Sequence, residues 1–286
     1  MIQGGAIPEA KLKATECLFE DNKICTSING INIMKNFLND LNYDTSELTN
    51  AEVVDLLKKE LNVTSESNIW DHIRFKKYAG VSKSNFILKN YFKPPGPADS
   101  TALLDNYNID NTLEQWSHNS QSLFGRKLYY IPFQMIDFAK MNTELSQIDL
   151  GEVINDGYDC LCVVLNTDIS SGKGKHWFCL FCDFKHKDGD PYTIEYFNSS
   201  GNPPRTEVEI WMQKAVYDLK KKYSKKCIII RSASRRLQYS QTECGVWSLM
   251  YIKSRLQGHN YNWFYKTDAN DNDMIKLRKH LFRKKI

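Results

Sequence analysis

The sequence predicts an α+β fold: a mixed central sheet flanked by helices, preceded by an N-terminal helical arm. Three observations point there. Between about residues 160 and 197, apolar runs of strand length follow one another, separated by loops rich in Gly, Ser, Lys and Pro. An amphipathic helix over residues 206–223 and a nearly all-apolar helix after Cys244 supply the layers that cover such a sheet. Before residue 92 the pattern is helical only, and Phe92-Lys93-Pro94-Pro95-Gly96-Pro97-Ala98 ends it, because three prolines in four residues forbid helix and favour an extended connector. The expected division is therefore an arm, residues 1–91, and a larger core, residues 92–286.

Composition agrees with a folded chain. Of 286 residues, 42% are hydrophobic and 12% aromatic, enough for one large domain with a smaller attachment. No apolar run approaches the roughly 20 residues that cross a bilayer, so no membrane partner is expected. Met1 to Lys13 lacks the apolar segment of a signal peptide, which predicts a protein that is not secreted by that route. Without a secretory context the eight cysteines are expected to be reduced. The net charge of +4 is modest but uneven. Lys220, Lys221, Lys222, Lys225 and Lys226 cluster, and Lys276 to Lys285 is basic; such runs allow weak nucleic-acid contact, although a solvated helix face explains them equally.

In the arm, Ile31–Leu41 predicts a helix with Ile33, Phe37, Leu38 and Leu41 on one face. Asn50–Leu61 predicts a second, with Asn50 as N-cap and Val53, Val54, Leu57 and Leu61 aligned. Ile69–Tyr78 predicts a third. In the core, Asp110 is placed as the N-cap of a helix running through Trp116, and Pro132–Met141 reads as another helix. Cys160–Leu165, His176–Asp183 and Tyr192–Phe197 read as strands covered on both faces, and Cys227–Ile230 as a further strand.

The chemistry concentrates in Gln238-Tyr239-Ser240-Gln241-Thr242-Glu243-Cys244-Gly245. Ser240, Thr242 and Glu243 are helix-start residues, so Cys244 falls at the N-terminus of the buried helix, where unpaired N–H groups and the positive dipole end favour thiolate. An inert buried cysteine is the alternative. A nucleophilic thiol needs a base and a group that orients the base. Among the six histidines, His176 alone opens an apolar strand directly after a flexible Gly-Lys loop. Asn198 ends the next strand; if the two strands are antiparallel neighbours, Asn198 lies beside His176 and accepts from its Nδ1–H. Asp183, seven residues from His176, is the competing partner, but strand alternation sends it to the other face. Gln238 is positioned to donate to an oxyanion. Trp177 either packs or narrows a substrate channel, and Asn166 is a further candidate for substrate contact. Cys179 and Cys182, three apart on a strand, face opposite sides and cannot share one metal, so no metal site is expected.

Gly174-Lys175-His176-Trp177, Ile194-Glu195-Tyr196-Phe197-Asn198-Ser199 and Gln238–Gly245 closely resemble the polyprotein-processing cysteine proteases of African swine fever virus type, within the wider group of adenovirus and SUMO-specific proteases. The likeness extends to Phe92–Pro97, Asn108-Ile109-Asp110 and His280-Leu281-Phe282-Arg283, hence over residues 92–286. It implies a SUMO-protease-like, papain-related core without cofactor. His176 is then the base, Asn198 its orienter, Cys244 the nucleophile and Gln238 the oxyanion donor. It also implies cleavage after Gly-Gly in a channel beside Trp177, with Gln241 as a neighbouring substrate contact and with a protein substrate, in host cytoplasm and virion. Deconjugation of a ubiquitin-like modifier is the alternative with the same chemistry; a non-enzymatic basic module is the alternative without it. Gly5-Ala6 is a candidate self-processing site on the same reasoning.

Overall fold

A computed structural model describes residue 7 and residues 14–185, 190–232 and 235–284. Gly5-Ala6, His186 and Lys285 therefore lie outside the described residues. The chain forms two compact units, one comprising Lys13–Asp99 with Lys279–Ile286, the other Ser100–Arg278 with the first twelve residues.

The first unit is helical. α1 (Ile28–Asp40) is capped by Ser27 and buries Ile31, Met34, Phe37 and Leu38. α2 (Asn50–Leu61) starts one residue earlier than expected: Thr49, not Asn50, is the N-cap, because Thr49 and Glu52 form a reciprocal capping box. The single helix expected over 69–78 is two, α3 (Glu66–Asp71) and α4 (Ile73–Ala79). His72 between them turns extended at ψ 127°, which swings both Trp70 and Phe75 into the core at 0% exposure. α5 (Val81–Tyr91) follows Gly80 at φ 90° and escaped the periodicity reading, since Ser84 and Ile87 are all that it buries. The proline connector is extended as expected. Its Pro95–Gly96 forms β1 and pairs in parallel with β8 (Arg283–Lys284).

Two cysteines depart from the expected reduced state. Cys17 and Cys25 are joined in a disulfide, with their Cα atoms 4.9 Å apart. The sequence shows only compartment and spacing, whereas the arm's packing fixes both chain segments against the start of α3. The Glu16 carboxylate accepts from Glu66 N at 2.7 Å, and Glu66 accepts from Cys25 N and Thr26 N at 3.0 and 2.7 Å.

The second unit is the α+β core. α6 (Asn106–Phe124) begins before the expected point. Asp105 is its cap, and Asp110 lies inside the helix, accepting from Phe133 N at 2.9 Å and from the Tyr130 hydroxyl. β2 (Leu128–Tyr130) runs parallel to β4 (Cys160–Asn166). The helix expected over 132–141 is absent. Instead Gln134–Met135 forms β3, paired in parallel with Leu165–Asn166, and the chain then turns so that Ile136 and Phe138 enter the core. Pairing with β4 outweighs local helix preference there.

Two short helices, α7 (Glu144–Gln147) and α8 (Leu150–Asn155), precede β4. β4, β5 (Trp177–Asp183) and β6 (Tyr192–Phe197) are consecutive antiparallel neighbours, and β7 (Cys227–Arg231) adds in parallel, giving the order β2-β4-β5-β6-β7. α9 (Thr206–Tyr223) covers one face, packing Val208, Trp211, Met212 and Leu219 on Leu161, Val163, Phe178, Leu180 and Ile194. Its lysines point outward.

α10 (Cys244–Leu256) covers the other face, and every one of its residues is buried. There the sheet carries charge. Arg255 donates to both oxygens of Glu195 at 2.8 and 2.9 Å and to Asp183 at 2.7 Å. Tyr251 donates to Glu195 at 2.7 Å, and Arg126 pairs with Asp183. α11 (Trp263–Lys266) and α12 (Asp271–Leu281) complete the order. No helix among the described residues is long and apolar enough to cross a membrane.

Two outcomes follow. Arg255→Met leaves the buried Glu195 carboxylate with the Tyr251 and Thr193 hydroxyls but without its guanidinium, which costs about 3–5 kcal/mol of stability in denaturant titration. Unfolded without reductant, the oxidised chain exposes six titratable thiols out of eight cysteines. Eight would show the arm disulfide to be absent.

Candidate active site

The antiparallel pairing of β5 with β6 decides the site. Cys179 sits opposite Phe197, so the residues just before β5 meet the residues just after β6. His176 and Asn198 are those residues. His176 Nε2 lies 2.7 Å from Asn198 Oδ1. The amide's orientation is determined by its other partners: Oδ1 accepts from Ser200 N at 3.0 Å, while Nδ2 donates to the Tyr196 hydroxyl at 2.9 Å. An acceptor therefore faces the ring. Nε2 must carry the proton, and Nδ1 is left as the basic nitrogen. This corrects the expectation that Nδ1–H donates to Asn198. The competing partner, Asp183, is at the far end of β5 with Arg126 and Arg255.

Cys244 is the first residue of α10 and is 3% exposed. Its sulfur lies within reach of three backbone N–H groups, those of Trp177, Gly245 and Cys244 itself. The Trp177 N–H belongs to the peptide that links it to His176, so the group acting on the Cys244 thiol sits at the strand end that carries the imidazole. The helix start differs from expectation. Glu243 occupies the N-cap position but makes no side-chain cap. Its carboxylate is turned away, paired with Arg278 at 2.9 Å, both side chains at 0% exposure. The first-turn N–H groups thus stay available to an anion at the sulfur. Gly245 is needed for close approach, since a Cβ there would lie 3.0 Å from Leu104.

Burial sets the resting protonation. It pushes the Cys244 thiol above its ordinary range, against the three N–H groups that pull it down, and the Glu243 carboxylate adds to the rise. Burial also lowers His176, against the Asn198 contact, which favours the imidazolium. The terminal N–H groups favour thiolate, as the sequence suggested, but burial outweighs them, so thiol and imidazole are each shifted toward the neutral form.

The remaining candidates separate. Trp177 and Asn166 line a cleft of about 430 Å³ together with Leu104, Phe133, Met135 and Cys244. Trp177 is fixed by an Nε1–H bond to Leu104 O at 2.9 Å and an edge contact with Phe133. Asn166 braces the cleft's loop, accepting from Asp168 N at 3.0 Å and Lys175 N at 2.9 Å. Gln238 is buried and tied to the Asn198 turn: its Oε1 accepts from Ser199 at 2.7 Å, and its Nε2 donates to Ser240 O at 2.9 Å. Gln241 is exposed on the approach to Cys244. Sequence reasoning missed Asp271 and Arg278. Asp271 accepts from Tyr239 N and Ser240 N at 2.7 Å each and from Trp247 Nε1 at 2.9 Å. No motif marks either residue, because both come from a helix late in the chain.

Cys179 and Cys182 face opposite sides of β5, as alternation requires. The acidic group Glu16, Cys25 and Glu66 has metal-like spacing, but Cys25 is held in the disulfide and both carboxylates accept from backbone N–H groups.

A histidine held by Asn198 at a strand end and a cysteine at the head of the covering helix are the groups that a cysteine protease needs, and the comparisons give that class. The family model of the Ulp1 protease family, C-terminal catalytic domain, matches residues 138–286. A protein of African swine fever virus described as a SUMO-1 cysteine protease is 39% identical over 246 residues, covering 80% of this chain and 86% of the relative. A cysteine protease from a Vero-adapted strain of that virus is 38% identical over 243 residues, covering 79% and 85%. The crystal structure of an African swine fever virus protease superposes with a TM-score of 0.77 at 33% identity, over 98% of this chain and all of the other. The chain belongs to the Ulp1 protease family of cysteine proteases. The non-enzymatic basic module gives way to this finding.

The pH profile follows from the histidine. Its lowered value means that the imidazole is protonated only below 6.5, so with His176 as the expected base the acid limb of kcat/KM falls below that pH. Asn198→Ala removes the contact that favours imidazolium and moves the limb lower, with reduced kcat. A limb that rises instead contradicts the assigned hydrogen bond.

Proposed function

We propose that the chain is a cysteine endopeptidase that cleaves after Gly-Gly in polyprotein precursors, with His176, Asn198 and Cys244 as its triad. The carrying observation is the His176 Nε2 to Asn198 Oδ1 contact of 2.7 Å, at the strand end whose Trp177 N–H favours the Cys244 thiolate. Cys244 passes its proton to His176 Nδ1, and the sulfur bonds to the glycyl carbonyl carbon. The oxyanion is met by the Cys244 N–H and a glutamine amide. The C–N bond breaks as His176 protonates the leaving amine. Water, deprotonated by His176, then releases the acyl group and regenerates the thiol.

Gly-Gly specificity is supported by the cleft walls. Trp177, Phe133 and Leu104 close on the approach to Cys244, and glycine presents backbone without side-chain bulk. Trp177, Asn166 and Gln241 serve as substrate contacts in this reading. Gln238 is the oxyanion donor, using the Nε2 hydrogen not given to Ser240. Residues 92–286 act as the catalytic part and 1–91 as an arm for docking, in host cytoplasm and virion, without a cofactor. The second reading, deconjugation of a ubiquitin-like modifier, is favoured by the description of the viral relative as a SUMO-1 cysteine protease.

Cys244→Ala and His176→Ala abolish turnover of a Gly-Gly-Xaa peptide while the cooperative melt is kept. A Gly-Gly peptide carrying a vinyl warhead adds once, on Cys244. Reaction only with a whole ubiquitin-like domain moves the assignment to a deconjugase. Gln238→Ala lowers kcat by about 10²–10³ with little change in KM. If Gln241→Ala does so instead, the oxyanion role passes to the exposed glutamine.

A further inference from the structure

The segment that delivers Cys244, residues 238–243, contains no helix or strand. Its shape comes from α12. At one end Asp271 accepts from Tyr239 N and Ser240 N. Seven residues on, two turns along the same face, Arg278 holds the other end. Its Nε and Nη2 donate to the two carboxylate oxygens of Glu243 at 2.9 Å each, and Nη2 also reaches Thr242 O at 3.3 Å. Nη1 donates to Ala102 O at 2.7 Å. Ala102 lies two residues before Leu104, whose carbonyl holds the Trp177 indole and whose side chain abuts Gly245. One guanidinium therefore joins the turn before the nucleophile to the segment that walls the cleft.

We propose that Arg278 is a positioning residue of the protease, holding the Thr242–Cys244 turn and the Ala102–Leu104 wall in register and screening the Glu243 carboxylate from the Cys244 sulfur. The inference rests on Cys244 as the nucleophile but not on the Gly-Gly reading. Two features make a purely structural role insufficient. A buried, forked donor is spent on the residue that immediately precedes the nucleophile, where an apolar contact would also fill space. The Glu243 charge opposes thiolate formation at Cys244, and Arg278 is the cation that answers it.

The test uses the full chain with Arg278→Lys, Arg278→Met and the double variant Glu243→Gln/Arg278→Met. Two readouts are taken: the rate of Cys244 alkylation by iodoacetamide against pH, and kcat and KM on a cleaved peptide. Alkylation needs no substrate assignment, so failure of the Gly-Gly reading leaves it intact. In Arg278→Met the alkylation profile moves to higher pH and kcat falls by about tenfold to a hundredfold, with KM changed less. The double variant returns the alkylation profile toward wild type, because the charge is gone, but not kcat, because Thr242 O and Ala102 O still lack their donor. Arg278→Lys keeps the charge and lies between. If Arg278→Met fails to fold, the double variant and Arg278→Lys decide. A folded variant of any of the three kinds with wild-type kcat, or Arg278→Met with a wild-type alkylation profile, overturns the proposal.

Discussion

The site depends on a helix clamped at both ends by buried ion pairs. α10 enters at Cys244 directly after Glu243, which is locked to Arg278, and leaves through Arg255, which is locked to Glu195 and Asp183. Apolar packing alone would bury this helix but would specify its axial position weakly, since Val, Leu, Ile and Met contacts tolerate sliding. A guanidinium forked onto a carboxylate does not tolerate it. Buried pairs of this kind add little net stability over apolar substitutes, so geometry is the better account of their presence.

That geometry serves a small set of atoms. The sheet brings His176 against Asn198, and the helix brings Cys244 against the Trp177 N–H. These placements come from different layers of the fold, so a shift of α10 against β5 would move the sulfur away from the strand end that carries His176 while leaving each element intact. The uncapped start of α10 belongs to the same arrangement. A side chain that capped it would satisfy the N–H groups but occupy the space of the anion. Glu243, the residue in the cap position, is instead drawn away by Arg278.

The arm follows different rules. Its helices are short, its strongest local signal is the Thr49–Glu52 capping box, and its core gathers around Trp70, Phe75 and Phe37 with edge-to-face rings about 5 Å apart. The helical pattern was legible there, whereas the break at His72 and the Cys17–Cys25 bond were not. Both result from where distant side chains meet.

By itself the sequence determined what periodicity and local chemistry can encode: the strands from Cys160 to Phe197, α9 at its full extent, and the placement of Cys244 at the head of a buried helix. It tied Asn198 to His176 only on the condition that their strands are antiparallel neighbours, which the pairing of β5 with β6 then met. The tertiary structure decided the rest. It turned 134–135 into a strand by pairing it with β4, took Asp110 out of the cap position, chose Nε2 rather than Nδ1 for Asn198, and let burial outweigh the helix terminus at the thiol. It also recruited Asp271 and Arg278 from the end of the chain. Each of these depends on which groups surround an atom in space, and sequence spacing carries that information only between neighbours in the chain.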